Sequence, residues 1–213
     1  QRLELEAISE QGFDYFLNGS TEKALQKFLK AKVLMEKAGN FSKIQQANVL
    51  RDCGMGYRSV GQTEMATRYY KDAATLFGLS QRPVEQAVML DSMAVAYLDS
   101  GHLAEFEKYH TEAENVFKGA DSQKTGAASD SSNTASAGGA SAGTAHDKKA
   151  FNQKRVKASL AYNYAQYCLY KSRYSDALPI YEEALAAYKE VGDKLGECHA
   201  LRGLGLTYLI LEQ

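Results

Sequence analysis

The sequence predicts an all-α fold, an α-α superhelix: a right-handed solenoid of antiparallel helix pairs. Three observations predict it. A pattern of small, aromatic and glycine positions recurs about every 40 residues, the period of stacked helix pairs. Within the clearest copies, apolar residues fall at i, i+4 and i+7, one face of a helix. Only two prolines, Pro83 and Pro179, occur in 213 residues, and both fall near expected helix starts, where a missing N–H costs little.

The first copy runs through Gly12, Tyr15, Gly19, Ala24, Phe28 and Ala31. The second repeats it at Gly54, Tyr57, Gly61, Ala66, Tyr70 and Ala73. A third, looser copy holds Ala94, Tyr97, Gly101, Phe106, His110 and Ala113, and a fourth Ala165, Cys168, Ser172, Ala177, Tyr181 and Ala184. A fifth begins at Gly205 and Tyr208. The small residue at Gly12, Gly54, Ala94, Ala165 and Gly205 lets the first helix of a pair approach its partner. Gly19, Gly61 and Gly101 end that helix in the left-handed conformation. The fourteen tyrosines are explained in part by packing slots at Tyr15, Tyr57, Tyr97, Tyr181 and Tyr208. His110 takes an aromatic slot, so packing is its expected role.

These residues resemble the tetratricopeptide repeat family over about 180 positions. The repeat here is longer than the usual ~34 residues. The turn at Gly192-Asp193, followed by a long helix, is similar to the forty-residue variants of kinesin light chains, polarity adaptors and rapsyn-like scaffolds. The resemblance implies a TPR-like protein-interaction scaffold or adaptor that binds a partner peptide in a concave groove lined by the first helix of each pair. Groove positions lie at fixed offsets in that family. Carried over, they fall on Phe13 and Phe16 in the first copy, and on Asn48, Arg51, Met55 and Arg58 in the second. Asp91 follows in the third, Tyr162, Gln166 and Tyr170 in the fourth, and Arg202 in the fifth. The arginines suit bidentate pairing with carboxylates, Asn48 can bond both sides of a peptide link, and the aromatics offer apolar pockets. The expected guest is an acidic peptide with hydrophobic anchors.

In chain order, helices are expected near 2–18, 21–38, 42–60, 63–78, 83–100, 103–118, 148–172, 175–191 and 194–212. Ser42 with Gln45 fits a capping box. The organisation is repeats one to three over 1–118, an insertion over 119–147, and repeat four with the start of repeat five over 148–213. The insertion is Ser, Ala, Gly and Thr with almost no bulky apolar residue, a composition expected to be flexible. A basic run follows, Lys148, Lys149, Lys154, Arg155 and Lys157. It reads as a solvated helix face or as a contact to phosphate or acidic protein. The last helix is apolar nearly all round, so the array is expected to continue in a parent protein or to self-associate there. Gln1-Arg2-Leu3 at the start likewise reads as a cut from a longer chain.

Composition narrows the function further. A formal net charge of −1 and no basic stripe on the first helices argue against nucleic acid. No run of about 18 apolar residues predicts a membrane span. Three cysteines, Cys53, Cys168 and Cys198, form no C-x-x-C pair, and point to the reducing cytosol or nucleus. No catalytic motif, cofactor loop or metal spacing stands out. The chain is therefore expected not to be an enzyme and to need no cofactor, with a regulatory domain of a larger enzyme as the alternative.

Overall fold

The protein is described by a computed structural model over residues 2–125 and 145–212. Nine α-helices and no strands occur among these residues. They are α1 (Arg2–Leu17), α2 (Thr21–Ala38), α3 (Lys43–Ser59), α4 (Thr63–Leu79), α5 (Pro83–Asp99), α6 (Leu103–Thr125), α7 (Ala145–Tyr170), α8 (Tyr174–Glu190) and α9 (Lys194–Leu211). Helix α6 continues to Thr125 and α7 starts at Ala145. The rest of the insertion expected at 119–147, residues 126–144, lies outside the described residues. Two compact units result, residues 1–117 and 118–213.

In the first unit, α1 packs on α2, α3 on α4, and successive pairs join through α2–α3 and α4–α5. Helix α6 packs on α5, where Tyr97 stacks on Tyr109 with ring centroids 5.6 Å apart. The second unit repeats the scheme with α7 on α8, α8 on α9, and α7 touching α9.

The small-residue positions act as the sequence predicts in the first two pairs. An added Cβ at Gly12 would sit 2.4 Å from Phe28 Cε1, and one at Gly54 2.8 Å from the Tyr70 ring. Phe28 has no room to yield. It is fully buried, and Gly56 of α3 lies on its other side, where a Cβ would come within 3.1 Å. The Cys53 thiol donates to the Phe28 carbonyl at 3.4 Å. One ring thus ties α1, α2 and α3 into a single cluster with Leu5, Ile8, Val49 and Cys53.

The fifth pair differs. A Cβ at Gly205 would meet nothing within 4 Å, whereas one at Gly203 or Gly196 would come within 2.4 Å of the Tyr181 ring or 2.3 Å of the Tyr188 ring. The slot partner in other pairs is the side chain sixteen residues on, and position 205 has no such counterpart in 213 residues. Close approach on α9 instead falls on its face toward α8. Tyr208, expected in a packing slot, is 47% exposed and bonds Glu182 at 3.4 Å. Leu201, Leu206, Leu209, Ile210 and Leu211 are exposed as well.

One turn closes most junctions. Gly19, Gly61, Gly101 and Gly192 have φ between 63° and 79°, and Gln81 and Ser172 take the same conformation at φ 54° and 58°. In each case the left-handed residue and its successor donate back into the preceding helix. Ser172 N bonds Leu169 O at 2.9 Å and Arg173 N bonds Cys168 O at 2.8 Å. That is the Schellman pattern, which satisfies the last carbonyls. The capping box at Ser42 forms with both reciprocal bonds. Pro83 opens α5, with Arg82 as its N-cap. Pro179 departs from its expected place: α8 starts at Tyr174, so the proline lies inside the helix, in its second turn. Pro179 and Ser175, whose carbonyl would have accepted its N–H, are both exposed. Water can therefore take the released acceptor.

Gly12→Ala should destabilise the chain by about 1–3 kcal/mol, because the new methyl meets a ring that cannot move. Ser172→Gly should stabilise it by about 1 kcal/mol by removing left-handed strain at a residue with a Cβ. Urea denaturation followed by circular dichroism measures both, and the two shifts should have opposite signs.

Candidate functional site

Among the described residues of the first unit, a cleft of ≈ 250 Å³ opens between α1 and α3. Helix α1 supplies Leu5, Glu6, Ser9, Glu10 and Phe13 to its wall, and α3 supplies Gln45, Asn48, Val49, Arg51 and Asp52. The lining follows from helical spacing. Leu5, Ser9 and Phe13 stand four apart along one face of α1, while Gln45, Asn48 and Asp52, three and four apart, share one face of α3. Their separation is fixed below by Phe28, against which Phe13 stands edge-on at 5.4 Å.

Three of the expected groove residues line this cleft: Phe13, Asn48 and Arg51. The guanidinium of Arg51 is already engaged. Its Nε and Nη2 meet Asp52 Oδ1 at 2.9 and 2.8 Å, and its Nη1 donates to Asn48 Oδ1 at 3.2 Å. Asp52 is 4% exposed. Burial pushes its carboxyl above the usual aspartate range, and the neighbouring Arg51 partly offsets this. Burial also holds the adjacent Cys53 thiol up at about 12, so it stays protonated at neutral pH. Asp52 was not among the residues expected at the site. Its signal in the sequence was a carboxylate set between Val49 and Gly56, on the apolar stripe of a helix, where unpaired charge is rare.

The other expected residues disperse. Phe16 and Met55 are half-buried against the core of the first unit. Arg58 reaches from α3 to α5 and binds Asp99 at 2.7 Å. It also lowers the Tyr70 hydroxyl, which burial nonetheless carries to about 12. Asp91, expected on the groove face, is 5% exposed and bonded to His110 Nδ1 at 2.8 Å. His110 stacks on Phe106 in the aromatic slot the sequence assigned it. An imidazole in that slot requires a polar partner, and Asp91 turns inward to provide one.

In the second unit, Tyr162 and Gln166 of α7 bond each other at 2.8 Å. Tyr162 faces His199 of α9 with centroids 6.1 Å apart. Arg202 is exposed one turn further along α9, close enough to Tyr181 to favour its ionised form against the larger opposing effect of burial. No ion pair to Arg202 occurs among the described residues. Tyr170 is 58% exposed at the end of α7. The basic run is largely spent within this unit: Lys154 pairs with Glu190, Arg155 with Asp193 at 3.0 Å, and Lys157 with Glu183 at 3.3 Å. The side chains of Lys148 and Lys149 lie outside the description. Among the described residues there is no cluster of three metal-ligating side chains, and no helix is long and apolar enough to cross a membrane.

Solved structures with the same architecture are tetratricopeptide-like. The apo form of the quorum sensor NprR from B. thuringiensis aligns with a TM-score of 0.65 at 14% identity, over 98% of this chain and 49% of that one. This chain thus spans about half the length of NprR. A putative kinesin light chain of Podosopora anserina, described as having nearly identical TPR-like repeats, aligns in two crystal structures. One, of a point variant, gives a TM-score of 0.57 at 13% identity, over 97% of this chain and 85% of that one. The other gives 0.54 at 13% identity, over 99% and 97%. No protein-family model matches the sequence, and no curated protein matches it. The fold is that of TPR-like repeat proteins, a helical solenoid built from helix pairs.

The raised carboxyl of Asp52 sets a pH dependence. The folded chain keeps that proton to higher pH than the unfolded chain does. Its contribution is therefore greatest at low pH, and is lost as pH rises from the usual aspartate value of about 3.9 through the raised folded value. Asp52→Asn should remove this slope. Urea titrations of both proteins from pH 4 to pH 7 should show the variant gaining on the wild type as pH rises. Parallel curves would contradict the assignment.

Proposed function

We propose that this chain is a protein-interaction scaffold that holds a peptide segment of a partner between the first helices of its pairs, rather than an enzyme. One observation carries the reading: the α1–α3 cleft joins an apolar floor at Leu5, Phe13 and Val49 to a hydrogen-bonding rim at Ser9, Gln45 and Asn48. That combination suits an extended or helical segment whose side chains enter the floor while its polar groups meet the rim. Sharing a fold with a quorum sensor and a kinesin light chain supports a binding role in general and names no partner. The expected acidic anchor has its best place in the second unit, at Arg202. Of the three expected arginines, it is the one with no carboxylate partner among the described residues. The three free thiols, two of them buried, fit a reducing compartment.

Charge reversal at Arg51 would set two carboxylates side by side and damage the fold, so the test uses other positions. Ser9→Trp fills the cleft from α1, and Asn48→Ala removes a rim amide from α3. Quantitative affinity capture from native cell extract should lose the same set of proteins at least about fivefold with both variants, at unchanged helical circular dichroism. Equal recovery with wild type and both variants would remove the cleft as the binding site.

A further inference from the structure

We propose that the α1–α3 cleft selects a guest segment in which a lysine or arginine neighbours an apolar residue. The proposal rests on the reading of this cleft as a peptide site and adds the charge of the guest.

The wall of the cleft carries three carboxylates, Glu6, Glu10 and Asp52, against one guanidinium, Arg51. These groups are not equally committed. Glu6 meets Arg2 at 3.2 Å in an exposed pair of adjacent helical turns, a weak and screened contact. Glu10 is exposed and forms no ion pair among the described residues. Arg51 spends its Nε and Nη2 on Asp52 and its Nη1 on Asn48, so little of its charge is left to attract an anion.

Asp52 is the most informative of them. Both contacts from Arg51 land on Oδ1. Among the described residues nothing donates to Oδ2, although the residue is 4% exposed and lines the cleft. Oδ2 is thus left open beside the cleft, where a donor that arrives with a positive charge would add a charge-assisted bond to the one Arg51 makes on Oδ1. An acidic guest side chain would instead meet Glu10 as a like charge. The floor of Leu5, Phe13 and Val49 can take the neighbouring apolar residue, or the methylene stem of the lysine itself.

The full ¹⁵N-labelled chain can be titrated with three capped tripeptides, acetyl-Leu-Lys-Leu-amide, acetyl-Leu-norleucine-Leu-amide and acetyl-Leu-Glu-Leu-amide. Amide shifts of Ser9, Phe13, Asn48 and Asp52 report occupancy. The lysine peptide should saturate these shifts with an affinity at least about fivefold above the norleucine peptide, and the glutamate peptide should bind weakest. Glu10→Gln, at an exposed position that cannot disturb folding, should reduce the lysine preference by about twofold, and Asp52→Asn should reduce it further. Equal binding of the lysine and norleucine peptides, or tightest binding of the glutamate peptide, overturns the charge selection while leaving the cleft as a peptide site. Absence of saturable shifts with all three overturns the peptide site itself.

Discussion

A ring seated where the facing helix has no side chain holds these helix pairs together. Phe28 against Gly12 and Tyr70 against Gly54 are the same contact made twice, and Tyr181 against Gly203 applies the same ring-on-glycine fit between α8 and α9. Glycine lets two backbones approach more closely than alanine would, and the ring then fills the space with dispersion contacts on all sides. Such a joint fixes distance as well as adhesion. Because Phe28 is gripped from α1 and from α3 together, those two helices have one permitted separation. The cleft between Leu5 and Phe13 on one side and Val49 on the other is what that separation leaves unfilled.

The architecture was legible because the joint has a fixed spacing. Each slot glycine or alanine is followed sixteen residues later by its ring, and the period survives even where the residues change, as at Ala94 and His110. Turns were legible for the same reason: Gly19, Gly61 and Gly101 mark a left-handed position by their identity. Ser172 and Gln81 occupy that conformation without being glycine, so identity alone conceals it. What spacing cannot express is which of two faces does the packing. On α9 the sequence pointed to Gly205, whereas the contact with α8 falls on Gly203, two residues away and around the helix. Pro179 shows a further limit, since an exposed second-turn proline is tolerated by solvent in a way that no pattern records.

The candidate site was legible only in outline. Family offsets select a helix face, and that face does contain Phe13, Asn48 and Arg51 beside the cleft. Offsets say nothing about which neighbour claims a polar group. Asp91 was claimed by His110, a histidine sitting in a ring slot, and Arg58 by Asp99 of the next pair. Asp52 is not marked by those offsets because it stands on the inward stripe, yet it is the carboxylate that holds Arg51 at the cleft. Charges on helical repeats are read well only with their partners in view, because a guanidinium that already holds a carboxylate attracts little else.

Among the described residues α1 packs on α2 and α3 alone, through the ring wedged against Gly12, and so forms a flap on a bed that the Cys53 thiol and the Phe28 carbonyl tie together. An element held from one side opens more readily than one packed between two neighbours. A guest lodged between α1 and α3 would bridge the flap to its bed, and by linkage whatever tightens that bridge must also suppress the flap's opening. Occupancy and resistance of α1 to proteolytic nicking are thus two readings of one equilibrium.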